Sequence, residues 1–278
     1  MKRRAALLAV AAALVLGGAK APEKRPEPTT FTFFVGSDSH FGYAGMLEAN
    51  RSIVEQMNAL PGTPYPPEIG GVVDTPRGLV FTGDTTENGT LAEFAEFEQV
   101  FGLTGKDGLL RFPVFEAIGN HDVNRESPIK EVVTRRHGGI QYAWDWFDVR
   151  MICLDMYPDD ATRAWLEDEL ARVGPDRPVI VYFHYSLQGP YSDSWTQDEK
   201  RAFGASLAGF NVLAIFHGHW HRYGHYLWNG MPVFRPGSPK HSSRAFLVVR
   251  VRPREMDVAA WDFEKRGWIE SWTVPVRR

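Results

Sequence analysis

Nine histidines occur in this 278-residue chain, and four of them fall within FHGHWHRYGH, residues 216–225. His217, His219 and His221 recur at every second position. Imidazole adds little to an apolar core, but it is the commonest side-chain metal ligand and changes charge near neutral pH. The cluster reads as a chance run, as a local metal-binding tract, or as one part of a centre whose other parts lie elsewhere.

The last reading needs partners, and five hydrophobic runs supply them. FTFFVGSDSH ends in Asp38 and His40, GLVFTGD in Asp84, and FPVFEAIGNHD carries Asn120. RPVIVYFHYS carries His184, and NVLAIFHGHWH carries His219 and His221. Each run has the character of a buried strand. In open α/β sheets binding sites form outside the carboxyl ends of strands, so five such ends can meet in one crevice. Gly83, Gly119 and Gly218 each precede a candidate ligand and let the backbone turn sharply.

Imidazoles, carboxylates and one amide oxygen suit Zn, Mn, Fe or Co. A thiolate centre is excluded, because the only cysteine is Cys153, within the apolar VRMICLDMY. Seven such side chains exceed the needs of one tetrahedral ion. With one carboxylate shared they serve two ions about 3.5–4 Å apart, an arrangement that clamps the attacking and leaving oxygens in phosphoryl transfer.

Elements must exist to bring these ends together. AGMLEANRSIVEQMNAL places Met46, Leu47, Ile53, Val54 and Met57 at helical spacing, and TLAEFAEFEQVF reads as a second helix. Further helices are expected around 165–171 and 198–208, with a hairpin over IQYAWDWFDVRMICLDMY. PGTPYPPEIGG is a loop expected at the rim of the site, and after Tyr223 the chain turns strand-rich through AFLVVRVR, MDVAAWDF and GWIESWTV. Strands alternating with helices, then a strand-rich tail, argue for an α/β chain built on layered sheets.

Taken in order, D-x-H (Asp38-Ser39-His40), G-D (Gly83-Asp84), G-N-H-D (Gly119-Asn120-His121-Asp122), an isolated His184 and G-H-x-H (Gly218-His219-Trp220-His221) resemble the calcineurin-like metallophosphoesterase superfamily. The resemblance spans about residues 31–240. It implies a metallo-dependent phosphatase-like four-layer sandwich, two mixed β-sheets flanked by helices, in a single domain over 31–278. It also implies two divalent metal ions, with Asp38, His40 and His221 on the first, Asn120, His184 and His219 on the second, and Asp84 bridging. His121 would face the substrate phosphate, stabilising charge or protonating the leaving oxygen. The implied reaction is hydrolysis of a small-molecule phosphate ester, monoester or diester, by hydroxide formed between the ions. Purple acid phosphatases carry tyrosine three residues after the bridging aspartate. This chain has Glu87 there, so no tyrosinate-bound ferric ion is implied.

Other residues admit two readings. Asp122 either orients His121 or caps the next turn. Phe41, Tyr43, Tyr185, Tyr191, Trp195, Trp220 and Tyr223 are either core or a stacking wall for a flat leaving group. Arg222 is either a phosphate contact or solvated. His217 matches no ligand position and reads as structural, and His137, His225 and His241 are not expected to bind metal. Two other classes compete with the hydrolase: a non-catalytic binding module with structural ions, and a nuclease.

Lys2-Arg3-Arg4 followed by an apolar run from Ala5 to Leu16 has the layout of a signal peptide over 1–21, with a signal anchor as the alternative. Residues 22–30 read as a linker, and the mature protein is expected to be periplasmic or secreted, without a membrane span. Loss of residues 1–21 removes Lys2, Arg3, Arg4 and Lys20 and no acid, moving the net charge from −3 to −7. With no basic stripe to offset that charge, extended nucleic acid is not expected as a partner. One cysteine cannot form an internal disulfide, so stability must come from a core that a chain of this length can bury.

Overall fold

The computed structural model describes residues 27–123, 127–241 and 243–277. The signal peptide expected over 1–21 and the start of the 22–30 linker lie outside the described residues. The first half of the chain comprises β1 (Phe31–Gly36), α1 (Met46–Ala59), β2 (Leu79–Phe81), α2 (Leu91–Val100), β3 (Val114–Glu116), α3 (Ile129–His137), β4 (Gln141–Trp146) and β5 (Val149–Leu154). The second half adds α4 (Asp160–Val173), β6 (Val179–Tyr182), α5 (Gln197–Leu207), β7 (Val212–Phe216), β8 (Gly224–Trp228), β9 (Met231–Arg235), β10 (Ala245–Val251), β11 (Glu255–Asp262) and β12 (Gly267–Pro275).

Side chains alternate between the faces of a strand, and here both faces are apolar. Phe31, Phe33 and Val35 of β1 enter one cluster, while Phe34 enters another on the opposite face. A strand buried on both sides requires a layer on each side. Two six-stranded mixed sheets result, in the orders β12-β11-β10-β1-β2-β3 and β4-β5-β6-β7-β9-β8. Phe33, Met151, Tyr182, Phe216, Leu247 and Val249 fill the space between them, as does Cys153, whose thiol burial pushes up to about 12. Ile53 and Val54 of α1, Phe94 and Phe97 of α2 and Val132 and Val133 of α3 cover the outer face of the first sheet. Leu166 and Leu170 of α4 and Phe203 and Leu207 of α5 cover the second. This is the expected four-layer sandwich.

One detail differs from the sequence reading. The α3 helix was not anticipated, because only Ile129, Val132 and Val133 of its nine residues are buried and the rest is polar. The loop after α1 packs on the first sheet. Tyr65 stacks on Trp268 at 5.6 Å, and Arg250 donates to the carbonyls of Ile69 and Gly70, which draws the loop onto β10 and β12.

Strands β1, β2 and β3 run parallel in one sheet, and β5, β6, β7 and β9 do so in the other. The two sets end at one edge, where Nδ1 of His184, after β6, lies 2.9 Å from the carbonyl of Thr82, after β2.

Candidate metal centre

At that edge the backbone adopts conformations that L-residues avoid. Asp38 (φ 55°), His40 (φ 46°), Asp84 (φ 53°), His219 (φ 70°) and His221 (φ 53°) are all left-handed. Each such residue costs about 1–3 kcal/mol and persists only where its surroundings overdetermine it. The glycines serve mainly as gaps rather than as hinges. Of the three, Gly83 has positive φ, whereas a Cβ on Gly119 would overlap Asp84 and one on Gly218 would overlap the hydroxyl of Ser37.

Two groups of ligand atoms form there and share one carboxylate. Asp38, His40, Asp84 and His221 make one group and Asp84, His184 and His219 the other, the atoms of each lying within 4.8 Å of one another. Nε2 of His40 is 3.1 Å from Nε2 of His221, which is itself 3.2 Å from Oδ1 of Asp38. Nε2 of His184 lies 3.2 Å from Oδ2 of Asp84, 3.1 Å from Oδ1 of Asn120 and 3.2 Å from Nδ1 of His219. All seven residues expected from the sequence therefore meet.

The donor set fits a pair of cations. His184 donates from Nδ1 to the Thr82 carbonyl, so Nε2 is the nitrogen that, on giving up its proton, would present a lone pair to an ion beside the oxygens of Asp84 and Asn120. Nδ1 of His40 lies 2.7 Å from Oε2 of Glu87, and its Nε2 is turned to Nε2 of His221 at the centre. Converging electron pairs of this kind repel unless positive charge lies among them. Borderline divalent ions match the mixture of nitrogen and oxygen.

Titration reflects the same converging negative charge, with a proton on His184 in a cation's place. Burial would push His184 down, but the charge and hydrogen bond of Asp84, then Asp38, raise it to about 9. Burial pushes His40 down to about 4 against the pull of Asp84 and Asp38. His219 is likewise held at about 4 by burial and then by His184. Burial opposes ionisation of Asp38, yet His221, by charge and hydrogen bond, outweighs it and holds the carboxyl far below its usual range.

His121 stands apart from the two ligand groups. Its main-chain N–H donates to Oδ1 of Asp84 at 2.9 Å, its Nδ1 is 2.7 Å from the carbonyl of Glu87, and its side chain is 31% exposed. Asp122 does not touch the ring. It is fully buried and accepts from the N–H and hydroxyl of both Thr85 and Thr86 and from the N–H of Gly119, tying the loop after β2 to the loop after β3. Burial, then the charge of Asp84, pushes its carboxyl up, and these donors pull the other way.

The remaining residues with two readings also separate. His217 is buried with Nε2 2.7 Å from the hydroxyl of Tyr226, and His137 pairs with Glu116 at 2.8 Å, away from the centre. Phe41 and Trp195 are core, whereas Tyr185 and Tyr191 stand edge-on to His219 with centroids at 4.9 and 6.1 Å. Trp220, Arg222 and Tyr223 line a cavity of about 1030 Å³ beside His221, with the His241 ring 4.8 Å from that of His221. Sequence reasoning passed over Glu87 and Lys240, whose side chains pair at 2.7 Å next to His40. The only sequence signal for either was the absence of tyrosine at position 87.

Comparison with known proteins agrees with this geometry. The model of the calcineurin-like phosphoesterase family matches residues 31–223. A protein of Arcobacter nitrofigilis named as a probable glycerophosphodiester phosphodiesterase GpdQ is 28% identical over 222 residues, covering 74% of this chain and 77% of that protein. A dimetal phosphatase from Danio rerio superposes with a TM-score of 0.67 at 14% identity, over 90% of this chain and 100% of that one. Purple acid phosphatase PPD1 from yellow lupin seeds does so with a TM-score of 0.63 at 13% identity, over 91% of this chain and 55% of that one. Both solved structures share the two-sheet fold.

Proposed function

The chain belongs to the calcineurin-like phosphoesterase family and is a metal-dependent phosphoester hydrolase, and on that premise we propose that it is an exported phosphodiesterase acting on small molecules. Residues 31–278 act as one catalytic unit in this reading, since β10 to β12 complete the sheet that the family match begins. The observation that carries it is the pair of ligand groups sharing Asp84.

Asp38, His40, His221 and Asp84 would hold one ion, and Asp84, Asn120, His184 and His219 the other. When bound, such a pair activates water and neutralises charge gathering on the phosphoryl oxygens. His121 holds a proton for the departing oxygen. With Nδ1 committed to the Glu87 carbonyl and the main-chain N–H to Asp84, the ring is fixed and Nε2 is the edge left for proton transfer. Tyr191, Trp220 and Tyr223 wall the adjoining cavity of about 1030 Å³, which leaves room for an organic group on each of two ester oxygens of a phosphodiester. The name of the Arcobacter relative supports a diester over a monoester.

Export rests on the basic start and apolar run of residues 1–21. Among the described residues no helix is long and apolar enough to cross a membrane. A net charge of −7 after removal of those residues favours small substrates over nucleic acid.

The test is turnover by protein reconstituted with Mn, Zn, Co or Fe, comparing bis-p-nitrophenyl phosphate with p-nitrophenyl phosphate. Faster diester hydrolysis is expected, and His121→Ala should keep two ions per chain while kcat falls by about 10²–10⁴. No turnover by metal-loaded protein on either ester, or full activity in His121→Ala, would overturn the proposal. Cell fractionation with N-terminal sequencing checks export, and a cytoplasmic full-length chain would refute it.

A further inference from the structure

Tyr191 is held in a backbone conformation that a bulky side chain avoids. Its φ of 65° and ψ of 17° are left-handed, yet the residue is 61% exposed, so core packing does not account for the strain. At the metal centre the same conformation belongs to proposed ligands, whereas Tyr191 is in neither ligand group. It faces the cavity beside His221 instead, with its ring edge-on to that of His219 at 6.1 Å.

The loop after β6 that carries Tyr191 is fixed on both sides, as a strained tip requires. Lys200 of α5 donates from Nζ to the carbonyl of Ser192, and the indole N–H of Trp195 donates to the carbonyl of Ser186 at 2.9 Å. On the other side Gly189 (φ 87°) lies so close to Trp220 that a Cβ there would come within 2.6 Å of the indole. Trp220 is backed in turn by Arg235, whose guanidinium carbon is 3.9 Å from the centroid of its ring and 5.5 Å from that of Tyr226. Arg235 is 8% exposed, and its Nε and Nη1 find no hydrogen-bond partner. Burying a cation is costly, and contact with two aromatic rings offsets part of that cost. The stack therefore ties β9 to the loop after β6 through the residue between two ligands.

His121, which holds a proton for the departing oxygen, sits against His40 with ring centroids 4.7 Å apart and does not line the cavity. The group on the other ester oxygen is then the one carried toward Tyr191. We propose that Tyr191 is the specificity-determining contact for the organic group that stays on phosphorus, held at the cavity by Arg235 acting through Trp220 and Gly189. This rests on the phosphodiesterase reading and on the role given to His121. It favours diesters whose retained group is flat, because an aromatic ring gains most against such a surface.

The experiment compares two diesters that share a leaving group. Bis-p-nitrophenyl phosphate retains a flat aryl group, and methyl p-nitrophenyl phosphate retains only a methyl. In metal-loaded protein, Tyr191→Ala should lower the ratio of kcat/KM for the first ester to that for the second by about 3–10-fold, through KM, and Tyr191→Phe should keep the ratio. Arg235→Met should lower the same ratio and change nothing further in Tyr191→Ala, while Arg235→Lys, which keeps a cation on the indole, should lose less. Metal-free protein supplies a readout besides turnover. Tyr191→Asn, which tolerates left-handed backbone, should melt no lower than the parent, because a strained tyrosine that serves substrate adds nothing to stability. If Arg235→Met fails to fold, Arg235→Lys and the exposed Tyr191 variants carry the comparison. An unchanged ratio in Tyr191→Ala, a lower Tm in Tyr191→Asn, or a further loss from Arg235→Met in Tyr191→Ala would overturn the proposal. Parent protein that hydrolyses neither diester would instead refute the phosphodiesterase reading, and the Tm of Tyr191→Asn would still judge Tyr191 separately.

Discussion

Replacing Asp122 with asparagine tests whether the centre is assembled by a buried carboxylate that joins two loops. Oδ1 accepts from the Thr86 N–H at 2.8 Å and from the hydroxyls of Thr85 and Thr86 at 2.7 and 2.8 Å, and Oδ2 accepts from the N–H groups of Thr85 and Gly119 at 3.1 and 2.9 Å. An amide has one oxygen where the carboxylate has two. Hydroxyls can turn to accept from the new NH₂ group, but backbone N–H groups cannot. The cheaper flip keeps Thr85 and Gly119 satisfied and strands the Thr86 N–H in a fully buried site, costing about 2 kcal/mol. Asp122→Ala strands all three N–H groups and should cost at least twice that. For a chain of this size, 2 kcal/mol corresponds to a fall of about 4–8 °C in Tm. Urea unfolding of metal-free protein at pH 8 gives the free energy directly, with an unchanged m-value marking loss of stability alone. A loss below about 0.5 kcal/mol for Asp122→Asn, or an alanine variant no worse than asparagine, would refute this account.

Gly119→Ala should abolish tight metal binding through its clash with Asp84, a strain of about 1–3 kcal/mol, and isothermal titration with Mn checks it. His217 supplies a pH test. Burial, aided by the Arg235 charge, depresses it to about 3, while the unfolded chain protonates near 6.5. Its contribution is therefore complete above pH 6.5 and lost as pH falls toward 3, at about 1.4 kcal/mol per unit. His217→Gln should accordingly be less stable than the parent at pH 8, with the gap closing by about 2 kcal/mol at pH 5 in denaturant titrations. Chelation should lower Tm, since an ion at 100 times its Kd stabilises the folded chain by about 2.7 kcal/mol, and a Tm indifferent to chelator would contradict a resident metal pair.

Much of the molecule was legible in one dimension because its rules are local. Strand runs such as FTFFVG and VIVY are apolar on both faces, and that alone demands layers on either side. Ligand types at the ends of five such runs restricted the chemistry to nitrogen and oxygen donors, since no second cysteine exists to bind a soft metal. The helix at Ile129–His137 escaped because three buried residues in nine leave little periodic signal.

What sequence could not decide depends on segments far apart in the chain. Asp122 was equally able to orient His121 or to cap a turn, and it became the tie to Thr85 and Thr86 only when β2 and β3 paired side by side. Glu87 met Lys240 across 153 positions because β9 ends at the same edge as β2. Side-chain type and strand period are properties of neighbours along the backbone, so the residue order determined the layers and the kinds of ligand. Tautomers, pinned carboxylates and the sharing of Asp84 depend on separations of about 3 Å between atoms brought together by sheet pairing, and only the folded chain sets those.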